Sequence, residues 1–322
     1  PGIFIVFRDK SLLHDYLASI HHRRFIVPAV KNSEIIYENN KDVLNRLADF
    51  ISDRGRIPDD SEFEYSYEIR EKFGTIKRAF TIIRRVTGQE QWDKIANERS
   101  IELLINLALQ RFYKRPKFKD LPMHIQLDIK AFFRDYAHAC KEADDLLFSL
   151  GDLDQIDKAC RESSLGKLTQ DALYVHVSAI SSLPTILRVY EGCARQYVGF
   201  VEGANLIKLH RFKPKVSYLS YPDFDKNPHP KLVGALVVPL QDFNIKYWDS
   251  SSSDNPPIIH RKEEFVSPDY PNYEKFARLT KQEEKAGLFE NPSNIGRVQQ
   301  WKQFLLNKKV RISGHRLMKI KK

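Results

Sequence analysis

Leu206-Ile207-Lys208-Leu209-His210 and Lys215-Val216-Ser217-Tyr218-Leu219-Ser220-Tyr221 are two short runs rich in β-branched and aromatic residues, with Pro214 between them. They read as strands, and they lie beyond the point, near Gly166, where the chain loses its helical period. Residues 232–238 and 244–248 repeat the pattern, separated by Pro, Asp and Asn. After the polar stretch 250–257, residues 258–266 predict a further strand. Short runs spaced in this way predict a small, mostly antiparallel sheet, with residues 182–197 still reading as a helix.

Residues 41–166 follow the helical period. Val43, Leu44, Leu47, Ala48 and Ile51 share one face, and Gly55 stands where a left-handed cap ends a helix. Ser61 with Glu64 predicts a capping box. Gly74-Thr75 predicts a turn, and residues 76–86 a short helix closed by Gly88. A longer helix over 89–113 would bury Trp92, Ile95, Leu104, Ile105 and Ala108. Pro116 and Pro122 mark a turn after it, and then one helix is expected over 123–150 and a short one over 155–161. Near the end, Thr280 with Glu283 predicts a second capping box, and residues 294–306 a helix leading to a strand near Val310.

The fold class is therefore α+β: a helical bundle domain over residues 38–166, followed by a mixed α/β domain over 167–322 with a small, mostly antiparallel sheet. Residues 1–37 carry a short apolar run, 3–7, and a helix-like stretch, 11–20. A lone strand cannot satisfy its own backbone, which predicts that these residues end a preceding domain and that the chain is the C-terminal part of a longer protein.

Charge is segregated. Residues 291–322 contain nine Lys and Arg and no Asp or Glu, which leaves 43 basic against 42 acidic side chains in residues 1–290. That stretch also holds Trp301, Phe304, Leu305, Val310, Ile312 and Leu317, so it can fold, whereas a disordered basic arm would lack apolar residues. A folded basic surface predicts a polyanionic partner; the alternative is a solvated C-terminus. No apolar run approaches the roughly 20 residues needed to span a bilayer, so no membrane partner and a cytoplasmic location are expected. Cys140, Cys160 and Cys193 are odd in number and widely spaced, which predicts free thiols rather than a disulfide framework or a zinc site.

Three His-Arg pairs stand beside apolar residues: His210-Arg211, His260-Arg261 (followed by Lys262) and His315-Arg316. Arg presents a planar fork suited to phosphate, and a neighbouring His adds a donor. Convergence of the three would make an anion pocket, although neighbours on a strand face opposite ways; separate structural roles are the alternative. On the expected helix 76–86, Lys77, Arg78, Arg84 and Arg85 come after a turn, as on the second helix of a helix-turn-helix. Glu202, Asp223, Asp225, Glu263 and Lys262 would be available to a metal-dependent nuclease, but their spacing is not diagnostic. The sequence has no phosphate-binding glycine loop, no G-x-G-x-x-G after a strand, no G-x-S-x-G elbow and no H-E-x-x-H.

Beyond Arg111 many segments carry a resemblance. They include Asp128-Ile129-Lys130-Ala131-Phe132-Phe133, Gly166-Lys167-Leu168-Thr169, Ala172-Leu173-Tyr174-Val175-His176, Leu187-Arg188-Val189-Tyr190-Glu191-Gly192-Cys193, Glu202-Gly203-Ala204-Asn205, Tyr221-Pro222-Asp223-Phe224, His260-Arg261-Lys262-Glu263 and Gly314-His315-Arg316. Together they resemble the C-terminal region of the DNA phosphorothioation-associated methyltransferase family. Pro1-Gly2-Ile3-Phe4-Ile5-Val6-Phe7 resembles the end of that family's catalytic domain. The resemblance implies a Rossmann-like, S-adenosylmethionine-dependent methyltransferase domain before residue 1, in a system that puts sulfur into the DNA backbone. This chain lacks the glycine-rich cofactor loop, so no cofactor and no metal are expected in it.

The expected role is DNA binding and target positioning. His210, Arg211, His260, Arg261, Lys262, His315 and Arg316 would contact phosphate, together with Lys77, Arg78, Arg84 and Arg85. Tyr218, Tyr221 and Phe224 would be apolar neighbours for a sulfur atom. The competing readings are a scaffold that docks protein partners of a DNA modification and defence system, and a metal-dependent nuclease.

Overall fold

A computed structural model describes residues 5–20, 32–242, 244–291, 293 and 295–320. The chain divides into two compact units, Pro1–Ile95 and Ala96–Lys322. This differs from the expected boundaries at 37/38 and 166/167.

The first unit carries α1 (Lys10–Ile20), α2 (Asn32–Asn39), α3 (Lys41–Arg54), α4 (Ser66–Phe73) and α5 (Ile76–Thr87), and it ends within α6 (Glu90–Leu109). Its core joins Val43, Leu44, Leu47 and Ile51 of α3 to Ile69 and Phe73 of α4 and to Ile76, Ala79 and Ile83 of α5. Gly55 closes α3 with φ 72°, as the sequence predicts. The capping box expected at Ser61 is absent. Ser61 bonds Asp59, and Glu62 pairs with Arg56 while accepting the Asp59 N–H at 2.7 Å, so residues 59–65 form turns before α4. The expected strand 3–7 lies partly outside the described residues, and residues 5–7 have no regular structure.

In the second unit α7 (Met123–Phe132), α8 (Tyr136–Phe148) and α9 (Leu153–Glu162) lead into the sheet. The single helix expected over 123–150 is two. Phe133 is extended, and the Asp135 carboxylate caps α8 by accepting the His138 N–H at 2.8 Å.

β1 (Lys167–Leu168), β2 (Ala172–His176), β3 (Leu206–His210), β4 (Lys215–Ser220), β5 (Gly234–Pro239) and β6 (Lys246–Asp249) pair in chain order, every pair antiparallel. Between β2 and β3 the chain makes α10 (Thr185–Val198). Gly166, at φ 94°, enters β1 so close to β2 that a Cβ would lie 2.8 Å from the Tyr174 carbonyl oxygen. β6 is the outer strand on one side, with all four residues exposed.

Period-two alternation sends the strands' side chains to two buried faces. Leu173, Val175, Ile207, Leu209, Val216, Tyr218 and Val238 pack against Ile156 and Cys160 of α9 and Leu187 and Tyr190 of α10. Leu206, Leu219 and Ala235 pack the other way, with Phe265, Val266 and Phe276. Val189 and Cys193 of α10 also join the core of α6, α7 and α8. These shared cores are why the helices after Ala96 belong with the sheet and not with the first unit. The Tyr190 hydroxyl accepts the Lys215 N–H at 2.7 Å and lies within hydrogen-bond reach of the carbonyls of His210, Lys213 and Lys215, which pins α10 to the β3–β4 turn.

The C-terminal part comprises α11 (Tyr273–Lys285), α12 (Val298–Asn307) and a hairpin of β7 (Val310–Ser313) and β8 (Arg316–Lys319) turning at Gly314, φ 54°. Its core holds Ile258, Leu288, Val298 and Trp301, flanked by Val310, Ile312 and Leu317. Thr280 and Glu283 do not begin a helix. Both are buried inside α11, because its apolar stripe already starts at Phe276. The strand expected over 258–266 is also absent: Ile258 makes an isolated bridge with Lys231, Arg261 turns the chain at φ 55°, and residues 262–265 form a 3-10 turn. Among the described residues no helix is long and apolar enough to cross a membrane. Cys160 and Cys193 are free and buried, and burial pushes both thiols up to about 12.

Candidate nucleic-acid interface and the buried histidine cluster

α5 earns its position from its sequence. Ile76, Ala79 and Ile83 fall on one face and are buried, and the Thr75 hydroxyl caps the helix by accepting the Arg78 N–H at 3.1 Å. The opposite face carries Lys77, Arg78 and Arg85, all exposed, with Arg84 half-buried and lying over the Phe80 ring. Among the described residues none of these four cations forms an ion pair, and α5 contains no acid. α4 and α5 are joined by the two-residue link Gly74-Thr75 and share a core, and α5 presents its cationic face away from it.

A second cationic surface occupies the end of the chain. On the hairpin, the register sets Arg311 opposite Met318 and Ser313 opposite Arg316. Alternation therefore puts Arg311 and Arg316 on one outward face, while Ile312 and Leu317 turn to the core. Lys302, Lys308, Lys309 and Lys319 are exposed around them. Arg297 is also exposed and donates to the Asn255 carbonyl at 2.8 Å. α12 adds amides: Gln299, Gln300, Gln303 and Asn307, with Phe304 and Lys308, line an open groove of about 730 Å³. Lys321 and Lys322 lie outside the described residues.

The three His-Arg pairs do not converge into one anion pocket. Arg211 is buried; its Nε reaches Asp157 Oδ1 at 2.6 Å, and NH1 donates to the carbonyls of Thr169 and Gln170 at 2.7 and 2.8 Å. Its guanidinium is committed to holding α9 to the β1–β2 loop. His210 is buried beside it in sequence and shares a 3.0 Å hydrogen bond with the Ser217 hydroxyl. Arg261 reaches Glu284 at 2.6 Å and Glu264 at 3.6 Å, over the Phe289 ring. Lys262 is 2% exposed, donates to the carbonyls of Phe224 and Asn227 at 2.6 Å each, and lies 3.9 Å from the centre of the Phe276 ring. His315 stacks on Phe276, with Nε2 3.1 Å from Lys262 Nζ. Of these seven residues, Arg316 alone is exposed and without an ion pair. Tyr218, Tyr221 and Phe224 are buried.

His210 also sets a pH dependence. Burial, with Lys208 and Lys215 nearby, pushes its imidazole from 6.5 down to about 3 despite Asp171. Between those values the unfolded chain binds the extra proton and the folded chain does not, so stability is full above pH 6.5 and falls on acidification. Urea unfolding should show about 1.5 kcal/mol lost from this residue between pH 6.5 and pH 5. His210→Asn, which keeps a partner for Ser217, should remove about that much of the decline.

The acids considered for a nuclease do not assemble. Glu202 and Asp223 are exposed. Asp225 accepts from the Tyr270 hydroxyl and the Asn272 amide at 3.0 and 2.9 Å, and Glu263 accepts from Thr280 at 2.9 Å. Among the described residues a different group of three ligand-type side chains lies together, His229, His260 and Glu283, all buried, with the donor atoms within 4.8 Å of one another. The sequence marks His260 as part of a His-Arg pair and Glu283 only as part of an expected capping box. His229 and Glu283 are 31 and 23 residues away from it and form no motif with it. The available signal was Glu283 standing seven residues after Phe276, on the apolar stripe of α11. No protein-family model, curated protein or solved structure matches the chain.

Proposed function

We propose that the chain is the DNA-engaging, target-positioning region of a methyltransferase associated with phosphorothioate-modified DNA, and that each of its two units contributes a basic surface. The observation that supports DNA engagement is the set of exposed, ion-pair-free cations at residues 302–319, within a stretch that has no acidic residue to neutralise it. Cations on a folded surface hold the phosphate backbone, while Gln and Asn side chains such as those of α12 can pair with base edges. Arg311 and Arg316 on the hairpin, Lys302 and Lys308 on α12, and Lys77, Arg78 and Arg85 on α5 are the phosphate contacts of this reading.

The methyl-transfer part rests on the sequence resemblance alone. The residues of this chain do not fit S-adenosylmethionine: its six-stranded sheet is an antiparallel meander without the parallel strand–helix–strand unit and glycine loop that hold such a cofactor. No methyl-transfer step can be derived from it.

The test is duplex-DNA binding by fluorescence anisotropy across a salt series. Affinity should fall linearly on a log–log plot, with a slope of about −0.9 for each phosphate neutralised. A chain that fails to bind duplex DNA at low salt is not a DNA-engaging region, and equal binding to phosphorothioate and ordinary duplexes removes sulfur recognition from its role. Protein capture without DNA binding would favour the scaffold reading instead.

A further inference from the structure

His229, His260 and Glu283 are brought together by three separate pieces of backbone. His229 lies in the β4–β5 connection and His260 in the segment before Arg261. Those two stretches are joined by the Lys231–Ile258 bridge and by the Leu232 N–H donating to the Pro257 carbonyl at 2.9 Å, which sets the two imidazole centroids 4.4 Å apart. Glu283 arrives from α11, on the stripe that begins at Phe276. Trp301 of α12 stands edge-on to both imidazoles, at 5.0 and 4.6 Å, and Phe289 borders His260 at 5.8 Å.

Such a cluster is costly as it stands. His229 is 8%, His260 6% and Glu283 1% exposed. Both ring nitrogens of His260 are buried without a hydrogen-bond partner. His229 Nε2 and Glu283 Oε1 lie 2.9 Å apart but are misaligned for a hydrogen bond, so these two atoms are also unpartnered. Buried polar groups almost always have partners, and each exception asks for an explanation such as an ion.

We infer that His229, His260 and Glu283 form a binding site for one divalent transition-metal ion of the zinc type. Two imidazole nitrogens and one carboxylate oxygen are a ligand set that zinc takes, with a fourth position left for water. Magnesium and calcium prefer oxygen ligands and fit a nitrogen-dominated site poorly. The three side chains are all buried, and a metal would take neutral imidazoles and an ionised carboxylate, so binding releases protons. Trp301 and Phe289 border the imidazoles, and His260 also lines a cavity of about 300 Å³ through which an ion and its water can reach the site. The ion would tie the β4–β5 connection, the segment preceding Arg261 and α11 together beneath Trp301. With three protein ligands and one position open to water the site is of the open kind, and the ion would tie the C-terminal part together whether or not that part binds DNA.

The experiment is a cobalt titration of the whole chain after chelator treatment and dialysis, followed by zinc. A single saturable site should give visible d–d absorption that one equivalent of zinc displaces, and zinc should raise the unfolding temperature. Glu283→Gln and His229→Gln should each weaken binding beyond the roughly 10- to 100-fold that loss of an outer-shell partner costs. His138→Ala, at an exposed His paired with Glu142 at 2.9 Å on α8, should bind like the wild type. The wild-type titration needs no variant to fold. Absence of cobalt and zinc binding by the wild type, or wild-type affinity in a folded Glu283→Gln chain, overturns the site.

Discussion

Arg211→Ala is expected to lower the free energy of unfolding by about 3–5 kcal/mol, the range for breaking a buried ion pair from one side. The guanidinium is 6% exposed and satisfies Asp157 together with the carbonyls of Thr169 and Gln170. Removing it leaves two carbonyls without their donor and a half-buried carboxylate that keeps Arg161, at 2.8 Å. Arg211→Lys should recover little of the loss, because an ammonium cannot reproduce a fork that reaches the carboxylate and two carbonyls at once. Urea unfolding measures the change. DNA affinity, taken where the variant is still folded, should stay within about twofold of wild type, because a guanidinium held inside has no phosphate to release; a large loss of affinity with unchanged stability would return Arg211 to the surface role its sequence context suggests.

The opposite pattern is expected for Lys308→Ala/Arg311→Ala/Arg316→Ala combined. All three side chains are exposed and, among the described residues, none forms an ion pair, so stability should change by no more than about 0.5 kcal/mol per site. If they neutralise three phosphates, the salt slope should lose about 2.7 units. Affinity near 0.1 M salt should then fall by at least about tenfold. The anisotropy salt series reads both numbers. An unchanged slope would mean that the hairpin does not touch the backbone of DNA.

These two variants separate what the sequence could and could not convey. Strands β3 to β6 were legible because β-branched and aromatic residues alternate between Pro, Asp and Asn breaks, and α3 and α5 because glycine stands at each end point. The break between α7 and α8 was hidden: Phe133-Arg134-Asp135 contains no Pro or Gly, and only Asp135 as an N-cap marks it. Residues 258–266 look like a strand through Ile258, Ile259, Phe265 and Val266. The left-handed Arg261 instead turns the chain there, and residues 262–265 wind into a 3-10 turn that breaks the strand pattern.

The site was harder than the fold for the same reason. A sequence reports that Arg211, Arg261 and Lys262 are cations, but their partners, Asp157, Glu284 and the carbonyls of Phe224 and Asn227, are tens of residues away. Charge counting over residues 291–322 survives that problem because, among the described residues, no distant acid pairs with the cations of that segment. The surface proposed from it needs only that the segment fold with its apolar side inward, as Trp301, Ile312 and Leu317 allow. The histidine cluster needed three distant stretches to meet, and local spacing cannot show that.

The outer strand of the six-stranded sheet leaves one further consequence. Among the described residues β6 has no strand on its outer side, and it carries Tyr247 and Trp248 in the open, so free N–H and C=O groups there can template a neighbour's backbone at high concentration. Lys246 and Asp249, at the two ends of the strand, supply the charge that opposes such stacking. Neutralising both would turn a well-behaved solution into one that self-associates, without touching a single buried residue.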